Sequence, residues 1–136
     1  VSDSRLRTVA IALAAVGIGV AAYLTWVHYD DAAPVCVGGS GGCERVQSSE
    51  YADLFGIPVA VVGLAAYLTV AAALFLRTEA ATLFAAGVAV ISFGFAMYLT
   101  YVELFVIDAI CQWCVANAVI ETALAGAVIA LVLRLD

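Results

Sequence analysis

Residues 111–133 read CQWCVANAVIETALAGAVIALVL: two cysteines three apart, then nineteen residues from Val115 to Leu133 whose single charge is Glu121. As a helix, that run rises about 28 Å at about 1.5 Å per residue, close to the roughly 30 Å hydrocarbon thickness of a bilayer. A lone segment in lipid must satisfy its own backbone hydrogen bonds. It lacks the two-residue alternation of a barrel strand, so the stretch predicts a membrane-spanning helix with a Cys-x-x-Cys pair at its mouth.

Three further runs have the same character. Val9 to Val27 and Pro58 to Leu76 are each nineteen residues without a charge, and Thr82 to Val102 is uncharged, with apolar residues continuing past Glu103 to Ile107. Expected spans are therefore about 9–27, 58–76, 82–107 and 112–133, in one integral membrane domain covering 1–136. Of the 136 residues 66% are hydrophobic and 12% are charged, which excludes an ordinary soluble domain and leaves no room for a second one. The fold class is an all-α membrane protein, a four-transmembrane-helix bundle, expected to be a monomer in membrane lipid. With a net charge of −6, no nucleic-acid partner is expected.

Arginine placement orients the chain. Arg5 and Arg7 precede the first span, Arg77 sits in the tight turn between the second and third, and Arg134 follows the fourth, so four of five arginines share one side. That side is expected to be the cytoplasm, with both termini there, in a cell (inner) membrane. The other side receives Arg45 and most of the acids: Asp30, Asp31, Glu44, Glu50, Asp53, Glu103 and Asp108. The first span exceeds a typical signal-peptide core and is expected to remain as a helix.

This topology puts all four cysteines on the extracytoplasmic side, where disulfides persist. Between Cys36 and Cys43 run Val37, Gly38, Gly39, Ser40, Gly41 and Gly42, four glycines in six positions, so this loop can move. Closing so small a ring constrains the unfolded chain by roughly 2 to 3 kcal/mol, too little to be a bundle's main stabiliser; a bridge meant to open is favoured over a permanent staple. Cys111 and Cys114 lie one helical turn apart at a helix start, about 5 to 6 Å between Cβ atoms, and the unpaired N–H groups of that turn favour a thiolate. Four cysteines could instead hold zinc, but the six-residue spacing is loose for such a site and the one histidine, His28, reads as an interfacial residue. No metal is expected.

Together, the loop cysteine pair, Cys43-Glu44-Arg45-Val46-Gln47-Ser48-Ser49, Tyr51-Ala52-Asp53-Leu54-Phe55-Gly56-Ile57-Pro58 and the Cys-x-x-Cys before the last helix resemble the vitamin K epoxide reductase (VKOR) family over essentially the whole chain. The resemblance implies a four-helix membrane bundle acting in disulfide-bond formation, reoxidising a thioredoxin-like (DsbA-like) partner and reducing a quinone of menaquinone, ubiquinone or vitamin K type. It makes Cys36 and Cys43 the shuttle pair, and Cys111 and Cys114 the active-site pair with Cys114 beside the quinone. Ser49 matches the family's Ser/Thr position near the quinone; Phe55 and Asn117 join Ser49 and Cys114 as expected quinone contacts. Relatives often carry a fused thioredoxin-like domain, whereas here little sequence follows the fourth span, so the partner is expected to be a separate protein. Vertebrate members carry a tyrosine where this chain has Ala118, which favours plain quinone over vitamin K epoxide as substrate.

Ser48 or Ser49 can cap a short helix toward Phe55, and Pro58 suits the first turn of the second span, so a half-helix beside the cysteine loop is expected on the extracytoplasmic side. Below Cys114, Asn117 and Glu121 continue one stripe, with Glu121 about 15 Å along the axis from Cys111. A charge at that depth costs about 2.5 to 3.5 kcal/mol, so a structural hydrogen bond is expected for Glu121, in preference to a proton route. Tyr67, Tyr98 and Tyr101 are candidates for a quinone cleft, although aromatic residues in helices are more often packing. Two rival enzymes are weighed: the DsbB-type quinone-linked thiol oxidase, disfavoured because its Cys-x-x-Cys comes early, and reduction of a quinone epoxide. The non-enzymatic alternative is a metal-binding or structural membrane protein.

Overall fold

The computed structural model describes residues 3–29, 53–54, 57–107 and 112–135. Four long helices carry the chain: α1 (Asp3–Tyr29), α2 (Val59–Leu76), α3 (Glu79–Val102) and α4 (Gln112–Leu133). A π-helical turn, Glu103–Ile107, prolongs α3. All four are long and apolar enough to cross a membrane.

Four contacts fix the up-and-down order. Arg7 on α1 donates to the Leu74 carbonyl of α2 at 2.7 Å and to Thr82 Oγ1 of α3 at 3.4 Å. Arg134, after α4, pairs with Asp3 at 3.0 Å. At the other end, the rings of Tyr23 on α1 and Trp113 on α4 lie 4.8 Å apart. The start of α1, the α2–α3 turn and the end of α4 thus share an arginine-bearing end; the end of α1 and the start of α4 share the end that carries Cys114.

Small residues set the packing. On α1 the buried positions are Ala10, Ala14, Gly17, Ala21 and Leu24, alternately four and three apart, the spacing that keeps one face toward its neighbours in a left-handed bundle. On α3 the buried face is Thr82, Ala85, Ala89 and Ala96. Lipid tails are as apolar as leucine, so helices in a membrane gain by close backbone approach, which alanine and glycine permit. Large side chains turn outward instead: Ile91 is 74% exposed and Leu133 80%. Such a surface requires an apolar solvent.

Threonine hydroxyls inside the spans are satisfied locally. Thr25, Thr69, Thr82, Thr100 and Thr122 each donate to the carbonyl four residues back, at 2.7–2.9 Å. The α2–α3 turn is only Arg77 and Thr78; Arg77 takes a left-handed φ of 56°, and Thr78 caps α3 by accepting from the Ala81 N–H at 3.1 Å.

Before α2, Asp53–Leu54 (β1) pairs antiparallel with Ile57–Pro58 (β2), Asp53 opposite Pro58 and Leu54 opposite Ile57. This corrects the sequence reading in part. The expected half-helix cannot extend through Asp53 and Leu54, whose backbone is extended, and residues 48–52 and Phe55 lie outside the described residues. Pro58 closes this short ladder immediately before α2 instead of occupying the helix's first turn; its fixed φ and missing N–H suit a strand end equally well.

Candidate active site

The site is built from α4 upward. Gln112 is the first helical residue, Cys114 the third, and Asn117 and Glu121 follow at intervals of three and four, so the three side chains lie on one stripe. Helical side chains lean toward the N-terminus of their helix, which tips Asn117 toward the turn of Cys114 and Glu121 toward that of Asn117. Cys114 and Asn117 are half-buried. Glu121, at 3% exposure, is in the bundle core. The Tyr23–Trp113 ring contact holds the mouth of α4 against α1.

Across from this stripe stands Tyr67 of α2, also in the core. Its hydroxyl donates to Asn117 Oδ1 at 2.5 Å. The Glu121 carboxyl lies against the same hydroxyl, while Glu121 Oε2 is buried without a hydrogen-bond partner among the described residues. The room for the Tyr67 ring comes from α1: a Cβ on Gly17 would fall 2.3 Å from Tyr67 Cε1. Three helices thus converge on one polar cluster in an otherwise apolar bundle.

The family model described as the vitamin K epoxide reductase family matches residues 8–129, nearly the full chain. The chain belongs to the vitamin K epoxide reductase family. Members of the VKOR family are oxidoreductases associated with quinones, and this VKOR chain is accordingly a multi-pass membrane protein of redox function.

The structure treats the sequence-predicted residues unequally. It brings Cys114 and Asn117 onto one face, with Glu121 beneath them. Cys36, Cys43, Ser49, Phe55 and Cys111 lie outside the described residues, as does the side chain of His28. Among the described residues, no three of His, Cys, Asp and Glu stand close enough to share a metal ion. Tyr98 and Tyr101 do not line a cleft at this cluster: they are 49% and 57% exposed on the outer surface of α3, beside Phe95 and Phe105 respectively. Of the three, Tyr67 is the one buried in the core, at 1% exposure. Its pairing with Asn117, and the part played by Gly17, escaped the sequence reading because they join residues about fifty positions apart on different helices.

Proposed function

We propose that this protein is a quinone-linked, disulfide-forming thiol oxidoreductase: it draws two electrons from a separate thioredoxin-like (DsbA-like) protein through Cys36 and Cys43 to Cys111 and Cys114, and passes them to a quinone. The observation that carries the reading is Cys114 in the first turn of a spanning helix, with a polar side chain one turn below, in a chain matched to the VKOR family along nearly its whole length. The arginine-bearing end supports a cytoplasmic placement of both termini in the inner membrane.

In this scheme a thiolate of the reduced partner attacks the Cys36–Cys43 disulfide, and the partner's second thiol resolves the mixed disulfide. The partner leaves oxidised and the loop pair becomes a dithiol. One loop thiolate attacks Cys111, the Cys111–Cys114 bond breaks, and Cys114 leaves as thiolate; the second loop thiol then restores the loop bridge. Re-forming the Cys111–Cys114 bond releases two electrons, which together with two protons convert the quinone to quinol, so the sum is partner dithiol plus quinone giving partner disulfide plus quinol.

The residues present suit a quinone. Asn117 Nδ2 makes no hydrogen bond among the described residues and is half-buried a turn below Cys114, as a donor to a quinone carbonyl should be. Ser49 and Phe55 are the further proposed contacts. The experiment is to mix purified protein, a reduced thioredoxin-like substrate and a soluble quinone, and to follow quinone absorbance. Turnover that needs all four cysteines supports the relay; turnover that survives serine at both Cys36 and Cys43 removes the shuttle step.

A further inference from the structure

Asn117 has an amide with two faces, and the structure determines which one points inward. Its Oδ1 accepts from Tyr67, so Nδ2 is left with its two hydrogens on the side not taken up by the core. A tyrosine hydroxyl has one hydrogen, which that bond uses. Contact between the same oxygen and the Glu121 carboxyl is then favourable only if the carboxyl supplies a hydrogen of its own. An ionised carboxylate at this place would draw the Tyr67 hydrogen away from Asn117, and would leave a charge 97% buried with Oε2 unpartnered. With a hydrogen on the Glu121 carboxyl, the three groups can form a chain that runs in one direction, from Glu121 to Tyr67 to Asn117, toward the mouth of α4.

We propose that Tyr67 is the positioning residue for the electron acceptor: backed by Glu121 in its neutral, hydrogen-donating form, it locks the Asn117 amide with Nδ2 presented to the acceptor's carbonyl oxygen beside Cys114. The proposal rests on the quinone reading above for the identity of the acceptor. It also assigns a use to Gly17, which keeps open the space the Tyr67 ring must occupy. No proton or electron transfer is asked of the three side chains; they orient a donor.

The test combines kinetics with a readout that needs no turnover. Tyr67→Phe removes one hydrogen bond, whose net worth of about 0.5–1.5 kcal/mol corresponds to a rise of about two- to tenfold in KM for a soluble quinone, with kcat changed by less than about twofold. Asn117→Ala raises KM at least as much, and the double variant is no worse than Asn117→Ala alone, because Tyr67 acts through Asn117. Glu121→Gln, whose amide can still donate to Tyr67, retains a KM within about twofold of the parent. Independently, the infrared difference spectrum between the parent and Glu121→Gln contains a protonated-carboxyl band at neutral pH, and Tyr67→Phe shifts that band.

A parent protein without quinone turnover but with the band overturns the quinone reading and leaves the hydrogen-bond chain standing. Turnover with no protonated-carboxyl band overturns the chain. An unchanged KM in Tyr67→Phe, or additive effects in the double variant, overturns the positioning role.

Discussion

Gly17 offers the sharpest test of the packing, because its neighbour Gly19 on the same helix is a matched control. An added Cβ at Gly17 meets Tyr67 Cε1, Cζ and Cδ1 at 2.3, 2.4 and 2.6 Å. Carbon atoms rest at about 3.5–4.0 Å, so the ring must retreat by about 1 Å or more. It has nowhere to go: Tyr67 is 1% exposed and its hydroxyl is held by Asn117. Overpacking of a filled core costs about 1–3 kcal/mol, and loss of the Tyr67–Asn117 bond adds about 1. The helix propensity gained on replacing glycine by alanine returns about 1 kcal/mol. Gly17→Ala is therefore expected to lower unfolding free energy by about 1–3 kcal/mol. At Gly19 nothing lies within 4 Å of an added Cβ, so Gly19→Ala should be neutral or stabilising by up to about 1 kcal/mol. Both are measured by denaturant-induced unfolding of the purified protein in detergent. In the double variant Gly17→Ala, Tyr67→Leu, the collision is gone and the two losses should fall short of their sum. Equal stability of the two alanine variants, or additivity within about 0.5 kcal/mol in the cycle, would refute the packing argument.

Further outcomes follow from the arginine-bearing end. Thr78→Ala deletes the cap on α3 and should cost about 1 kcal/mol in the same unfolding assay, while Thr78→Ser should not. Arg7→Met keeps the side-chain length but leaves the Leu74 carbonyl and Thr82 without their partner, and should cost about 1–3 kcal/mol. Asp3→Asn, by contrast, breaks an ion pair whose side chains are 42% and 66% exposed, and should change stability by less than about 1 kcal/mol, decreasing further with added salt.

The sequence made the four spans legible because length and apolarity alone answer the question a bilayer poses. The stripe of Cys114, Asn117 and Glu121 was legible for a similar reason: it follows from a period of 3.6 residues. Sequence reading failed wherever a residue's role depends on another helix. Tyr67, Tyr98 and Tyr101 look alike as letters in apolar runs, yet one is buried against Asn117 and two face outward, because rotation of a nearly all-apolar helix is not written in its own pattern. Pro58 illustrates a local ambiguity: proline suits both a helix's first turn and a strand end, and the pairing with Asp53 selects the second.

The central claim is that the two cysteine pairs exchange a disulfide with each other. It is tested most directly by replacing Cys114 with Ala, which leaves Cys111 able to attack the Cys36–Cys43 bridge but unable to close its own, then blocking free thiols in the protein with its loop bridge oxidised and mapping the unreduced peptides by mass spectrometry. The account predicts that Cys111 is trapped in a disulfide with Cys36 or Cys43. Recovery of Cys111 as an unlinked thiol, with only a Cys36–Cys43 bridge present, would contradict it.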